Sequence, residues 1–256
     1  MNSAHQIHFF TGYDKSELLK SLLVAGVTVT HLVVPKSPRF LSATREVAEL
    51  AQQHQIEVLR VSTSDWSQIA DLNVANSILL SARFPLKIPR LVFGRYLFAL
   101  NIHPTLLPKY RGRYLEPILI AGDNESGVTL HLIDNEYDTG AIVHQVRFPV
   151  GCFDTVNSLL RKASAMESSL VLKGLALLFD PTFKPRPQNE TEASSYFEKR
   201  TPDDSFIPCT ASLLEALKVV RASNSVTHPA FTLIDGEKVI IEMRRPNKTQ
   251  DEIDCV

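Results

Sequence analysis

The stretch Ile7-His8-Phe9-Phe10-Thr11-Gly12-Tyr13-Asp14-Lys15-Ser16-Glu17-Leu18-Leu19-Lys20-Ser21-Leu22-Leu23, followed by Val27–Val34, decides the fold class. An apolar run of strand length is followed by Leu18, Leu19, Leu22 and Leu23 at i, i+1, i+4, i+5, one apolar stripe of a helix that Asp14 can cap, and then by a second β-rich run. Strand, helix, strand is a crossover unit. The pattern recurs with Thr44–Gln53, whose Val47, Ala48, Leu50 and Ala51 share one helical side, and with the runs Ile56–Val61, Ser77–Ala82 and Phe98–Ile102. Alternating elements of this kind predict an α/β domain on a mostly parallel, twisted sheet with flanking helices and right-handed crossovers.

Further along, Gly127–Asp134 and Gly140–Val150 alternate apolar and polar residues and can pair across Asn135–Thr139; Asp154 then opens a helix over about Thr155–Leu178 with Arg161, Lys162 and Glu167 on its wet face. Residues 183–208 read as a linker rich in Pro, Thr, Ser and charge, and Lys199-Arg200-Thr201-Pro202-Asp203-Asp204 is most simply solvated chain. Residues 209–256 predict a small α+β subdomain: a helix over Ser212–Ser223, then Ala230–Ile234 and Lys238–Met243 joined by Asp235-Gly236, a strong hairpin signal. So few apolar positions can hardly fold alone, and the subdomain is expected to pack on the first domain or on a partner subunit.

Composition narrows the function classes. The 256 residues are 44% hydrophobic and 21% charged with a formal net charge of -1, which lacks the basic excess of a protein that grips nucleic acid through phosphates. The start has no secretory signal and no apolar run approaches the roughly 20 residues that span a bilayer, so a cytoplasmic protein with neither membrane nor nucleic-acid partner is expected. Cys152, Cys209 and Cys255 are odd in number and far apart, which suits reduced structural thiols better than disulfides or a metal site. After the first strand, Thr11-Gly12-Tyr13-Asp14-Lys15 matches neither G-x-G-x-x-G nor the P-loop, so the nicotinamide and NTPase readings lose their best support.

The chemistry gathers at Asn101-Ile102-His103-Pro104-Thr105-Leu106-Leu107-Pro108-Lys109-Tyr110-Arg111-Gly112, at the carboxyl end of a strand, where ligands bind in open α/β sheets. Two prolines and a glycine bracket the His and restrict its backbone. Asp138-Thr139-Gly140 lies thirty-five residues beyond His103. An Asn donor, a titratable His and a carboxylate brought together can polarise a carbonyl, stabilise its oxyanion and manage one proton. His131 reads equally well as a supporting hydrogen-bond partner or as a direct participant. Tyr110 and Arg111 read equally as a substrate-phosphate site or as a brace through a buried Arg fork.

These residues resemble the 10-formyltetrahydrofolate-dependent formyltransferase family. Asn101 to Gly112 matches the family's N-x-H-x-S-L-L-P-x-[YF]-R-G element, with Thr105 where Ser is usual; Gly127, Thr129, His131, Asp138 and Gly140 match its G-x-T-x-H-x(6)-D-x-G element. The resemblance extends over about residues 1–180 and implies a Rossmann-like catalytic domain, residues 1–182. It implies N10-formyltetrahydrofolate as co-substrate, no metal, and catalysis by Asn101 on the formyl oxygen, His103 as imidazolium on the oxyanion, and Asp138 orienting His103 and relaying the amine's proton through water. It places the pterin near Phe84, Leu86 and Ile88 with Ile133, Asp134 and Asn135, although Arg83, Phe84 and Pro85 depart from the usual small, aromatic and Gly pattern of that loop. Residues 199–204 resemble the R-x-P-x-D linker of longer members.

The short tail and the missing Gly-rich phosphate loop point, within the family, to the sugar-nucleotide branch: N-formylation of a dTDP-linked 3-amino- or 4-amino-dideoxyhexose for O-antigen or lipopolysaccharide synthesis, by a homodimer. The alternatives are a methionyl-tRNA formyltransferase-like enzyme and a non-catalytic folate-binding protein.

Overall fold

The computed structural model describes residues 5–72, 74, 76–112, 115–193, 200–224, 227–252, 255 and 256. Lys199 of the linker motif lies outside them. The elements run β1 (Gln6–Thr11), α1 (Ser16–Val24), β2 (Thr28–Pro35), α2 (Arg45–Gln53), β3 (Glu57–Val61), α3 (Trp66–Ala70), β4 (Ser77–Ala82), α4 (Arg90–Phe93) and β5 (Phe98–His103). They continue with α5 (Glu116–Ala121), β6 (Glu125–Leu132), β7 (Ile142–Pro149), α6 (Val156–Leu178), α7 (Leu213–Ala222), β8 (Phe231–Ile234) and β9 (Glu237–Ile240).

The large sheet has the order β3-β2-β1-β4-β5-β6-β7. Its first five strands pair in parallel, and β6 joins β5 antiparallel. The expected mostly parallel α/β sheet with flanking helices is therefore what forms. The order reverses between β1 and β4, and the carboxyl edge at such a reversal is where ligands bind in open α/β sheets. The physical reason is visible strand by strand: β4 is buried at all six positions, as expected of a strand covered by helices on both faces. Phe10, Val33, Leu79 and Ala99, one from each of β1, β2, β4 and β5, pack on one face with Trp66, Ile69, Ile88, Val92 and Tyr96.

By its internal packing the chain divides into two compact units. The first comprises Met1–His103, Val128–Gln145 and Glu167–Asn189; the second comprises Pro104–Gly127, Val146–Met166 and Glu190–Val256. Within the second, α7 packs Ala216 with Ile207 and Ala230, and its N-terminus carries a reciprocal capping box between Ser212 and Glu215. The β8–β9 hairpin turns on Asp235 (φ 52°) and Gly236 (φ 82°), the two left-handed residues of a type I′ turn, as the Asp-Gly pair predicts. β9 stops at Ile240; Ile241 and Met243 leave the ladder and pack on the Ile207 cluster.

Two expectations need correction. Asp14 does not occupy the cap position of α1, which Lys15 holds; Asp14 instead accepts the Ser16 backbone N–H at 3.0 Å from one residue further out. Glu167 is not on a wet face: only 4% exposed, it accepts two hydrogen bonds from Lys15 Nζ, at 2.6 and 2.8 Å. A helical stripe count assigns charge to water by default, and cannot see a cation arriving from another element.

His8 is fully buried in β1, 2.8 Å from Tyr96 Oη through Nδ1, with its ring 4.3 Å from that of His31. Burial, reinforced by the neighbouring His31 charge, lowers its pKa from 6.5 to about 4. The folded state thus refuses a proton that the unfolded chain accepts, so stability is complete above pH 6.5 and falls as pH drops from 6.5 towards about 4. The loss attributable to His8 is ~3 kcal/mol at the acid end. Urea midpoints measured between pH 7.5 and 4 should show this decline, and His8→Gln should flatten it; an unchanged slope in the variant would assign the acid sensitivity elsewhere.

Candidate active site

Asn101 and His103 stand on alternate positions at the end of β5, so both side chains emerge on one face of the sheet. Antiparallel register sets Asn101 opposite His131 and His103 opposite Thr129. Asp138 arrives from the β6–β7 connection. It holds a left-handed backbone (φ 58°), a conformation that Asp tolerates better than most residues and that surrounding contacts must maintain. Those contacts are present: Gln188 Nε2 donates to the carbonyls of Asp138 and Gly140, each at 2.8 Å, and Thr139 Oγ1 donates to Asp134 Oδ1 at 2.7 Å. Gly140 must be glycine, because a Cβ there would stand 1.8 Å from the Leu132 carbonyl oxygen.

The polar group is tight. Asn101 Nδ2 lies 3.1 Å from His131 Nε2 and 3.5 Å from Asp138 Oδ1; His103 Nδ1 and His131 Nε2 each lie 3.5 Å from the same Oδ1. His131 Nδ1 sits 2.8 Å from the Leu132 carbonyl, which can only accept. This assigns the His131 proton to Nδ1 and makes Nε2 the acceptor of one Asn101 amide hydrogen. His131 is thus a brace that fixes the Asn101 amide. Among the described residues the second amide hydrogen meets only the long Asp138 contact, so an incoming carbonyl oxygen can take it. The side chains of His103, His131 and Asp138 are 5%, 3% and 12% exposed, an environment where water screens charge poorly. Chemically, the arrangement offers an oriented N–H donor, an imidazole backed by a carboxylate and a route for one proton.

The six residues expected to frame a flat heterocycle also lie in the first unit. Phe84, Leu86 and Ile133 pack half-buried on the core cluster that contains Ile88, and Phe84 meets Phe10 and Trp66 with ring centroids at 5.4 and 6.2 Å. Lys87 Nζ stands 5.1 Å above the Tyr137 ring, which brings the loop after β4 beside the loop bearing Asp138. Asp134 is engaged within its own loop and Asn135 is exposed. Tyr110 and Arg111 belong to the second unit. There Tyr110 Oη donates to Asp123 at 2.8 Å, and the 5%-exposed Arg111 side chain forks onto Glu190 at 2.7 and 2.8 Å. Sequence reasoning missed Gln188, for which the surrounding Pro-rich composition gave no signal, and the Lys15–Glu167 pair.

The sheet order defines an α/β protein whose carboxyl edge gathers an amide, an imidazole and a carboxylate where ligands bind in open sheets. Residues 24–175, more than half of the chain, match the family model described as Formyl transferase, and the chain belongs to that family. Among curated relatives, the Methionyl-tRNA formyltransferase of Streptococcus pyogenes serotype M4 (strain MGAS10750) is 28% identical over 198 residues, covering 76% of this chain and 63% of that protein. The match thus spans less than two thirds of the relative's length.

Among solved structures, a 4-N formyltransferase from Francisella tularensis superposes with a TM-score of 0.74 at 18% identity, covering 95% and 98% of the two chains. The N-formyltransferase from Helicobacter canadensis, in complex with folinic acid and dTDP-3-aminofucose, gives 0.68 at 21%, covering 93% and 86%. HypX from Aquifex aeolicus in complex with tetrahydrofolic acid gives 0.63 at 23%, covering 91% of this chain and 36% of that one. At these identities the likeness speaks to the fold. Among the described residues no helix is long and apolar enough to cross a membrane, and no cluster of His, Cys, Asp and Glu could hold a metal ion.

Proposed function

We propose that this formyl transferase moves the formyl group of N10-formyltetrahydrofolate to the amino group of a nucleotide-linked amino-deoxysugar, a dTDP-linked 3-amino- or 4-amino-dideoxyhexose, in the cytoplasm, as a step towards O-antigen or lipopolysaccharide. The observation that carries the chemistry is the convergence of buried His103 with half-buried Asn101 and Asp138, in the same unit as a half-buried apolar surface formed by Phe84, Leu86 and Ile133. That surface suits one face of a pterin, with Asp134 and Asn135 at its rim. The likeness, over 98% and 86% of their lengths, to a 4-N formyltransferase and to an N-formyltransferase in complex with dTDP-3-aminofucose favours the sugar branch over the tRNA enzymes, of which this chain matches 63% of the length.

In this reading Asn101 and His103 donate hydrogen bonds to the formyl oxygen as the amine attacks and negative charge grows on it. Asp138 holds His103 through Nδ1, leaving Nε2 to face the oxygen, and takes the amine's proton through a water molecule. The His103–Asp138 contact, 3.5 Å here, tightens when substrate excludes water. The bond between the formyl carbon and N10 then breaks, its electrons return to N10, and N10 takes up a proton. His131 acts through Asn101. Residues 1–182 carry this chemistry, 183–208 link, and 209–256 form the appended subdomain and the homodimer contact.

Incubation with 10-formyltetrahydrofolate and a panel of aminosugar nucleotides, read by mass for addition of CO, tests donor and acceptor together. A product confined to initiator methionyl-tRNA, with tRNA affinity falling steeply as salt rises, would replace the sugar reading by the tRNA one.

A further inference from the structure

Arg83, the first residue beyond β4, is one of the positions at which this chain departs from the family's loop pattern. It holds a left-handed backbone (φ 55°), which is uncommon for a residue other than glycine. Its guanidinium carbon lies 4.1 Å from the centroid of the Tyr13 ring, and Tyr13 in turn packs edge-on against Phe40 with centroids 6.0 Å apart. The Arg83 side chain is therefore laid on an aromatic shelf rather than left to wander in solvent. Among the described residues, no acceptor hydrogen-bonds its N–H groups. A planar cation that is stacked and still carries its donors is preorganised for a carboxylate or a phosphate.

Thr11 of β1 pairs with Ala82 of β4, and Ala82 pairs with Ile102 of β5. Gly12, Arg83 and His103 therefore succeed those residues side by side at the carboxyl edge, across a span of about 10 Å, two strand spacings. This edge is where the strand order reverses. Gly12 keeps the two loops close: a Cβ there would meet Pro85 Cδ at 2.5 Å. Lys15 is paired with Glu167 at 2.6 Å and Asp14 turns back onto Ser16, while Arg83 acts electrostatically on Glu167, a carboxylate already matched to Lys15.

We infer that Arg83, seated on Tyr13, is an oxyanion-binding residue that fixes the anionic end of a substrate at the switch-point crevice beside His103. Resting on the formyl-transfer reading, the anion is carried either by the acceptor, as its diphosphate, or by the donor, as its glutamyl carboxylates. The two sources share the chemistry that a planar guanidinium recognises and are separated by experiment. Neither role requires Arg83 to touch the reacting carbonyl. It acts on substrate affinity and leaves the chemical step to the residues of β5 and the Asp138 loop.

Steady-state kinetics of Arg83→Gln, with donor and acceptor varied separately, give the decisive measurement. Loss of a charge-assisted contact should raise one KM roughly 10- to 100-fold while kcat stays within a few-fold. A rise for the acceptor alone identifies the diphosphate; a rise for the donor alone identifies the carboxylates. Arg83→Lys, which keeps the charge and loses the planar fork, should fall between wild type and Arg83→Gln. Tyr13→Leu, which removes the shelf and keeps the cation, should raise the same KM by less. Unmoved KM values in Arg83→Gln, or a fall in kcat alone, would overturn the inference.

Calorimetric titration with inorganic pyrophosphate needs no turnover and separates this inference from the functional reading. Binding that is present in wild type and lost in Arg83→Gln supports the anion site even if no aminosugar is formylated. Equal pyrophosphate binding in both proteins, together with unmoved KM values in an active enzyme, sinks the site and leaves the formyl-transfer reading standing.

Discussion

Replacing His103 with alanine is expected to lower turnover by about 10²–10³, the usual effect of removing one donor from a preorganised oxyanion site. The imidazole is 5% exposed and stands on the last residue of β5 with Asp138 Oδ1 at 3.5 Å from Nδ1. Its removal leaves Asn101 as the remaining side-chain donor of the group and Asp138 without the ring it orients. The fold should survive, because the neighbouring β5 positions Leu100 and Ile102 keep their packing in the sheet and Asn101 retains its His131 brace. The thermal midpoint should therefore shift little while kcat collapses. Asp138→Asn should give a loss at least as large with the same pattern, since it preserves shape but removes both the charge that holds His103 and the acceptor of the amine's proton. Activity undiminished in His103→Ala would sink the catalytic assignment and favour the reading of a protein that binds folate without chemistry.

The largest effect on stability is expected from the ion pair between Lys15 and Glu167. Both side chains are 5% exposed, and the two Nζ–Oε contacts are 2.6 and 2.8 Å. Burial pushes the Glu167 carboxyl up, and the Lys15 charge and hydrogen bonds oppose it, so the pair persists as ions only while both members are present. Glu167→Leu or Lys15→Met singly should cost about 3–5 kcal/mol, because each leaves an uncompensated buried charge. Against a typical total of 5–15 kcal/mol, that is enough to unfold a marginal domain. The double variant Lys15→Met/Glu167→Leu should recover most of the loss, since two apolar side chains of similar volume avoid the desolvation cost of both ions. Urea denaturation of the four proteins forms a double-mutant cycle. Additive losses in that cycle would mean that the pair is not coupled in solution.

Most of the scaffold was legible along the chain. Ser77–Ala82 appears as a strand with the expected bounds, and the runs at Ile7, Val27, Ile56 and Phe98 each appear within one or two residues of their expected ends, because short apolar runs alternating with helical stripes leave few other ways to bury both. Asn101, His103 and Asp138 were legible as candidates because rigid, unusual spacing marks them in a single chain. The support around them was not. Gln188 reaches Asp138 across 50 positions, and Glu167 reaches Lys15 across 152; no local period encodes such a meeting. Tyr110 and Arg111, held open between two readings, are engaged by Asp123 and Glu190, partners that composition could not assign.

By itself, then, the sequence determined that this is a crossover-built α/β chain of the formyl transferase family with an amide, an imidazole and a carboxylate set out along it, since burial periodicity and motif spacing are properties of the chain order. Only the tertiary structure decided that His131 meets the Asn101 amide while His103 meets Asp138, that Glu167 is a buried ion rather than a wetted one, and that Arg83 lies on Tyr13. Those outcomes depend on distances between residues remote in the chain, and distance sets the strength of hydrogen bonds and of charge.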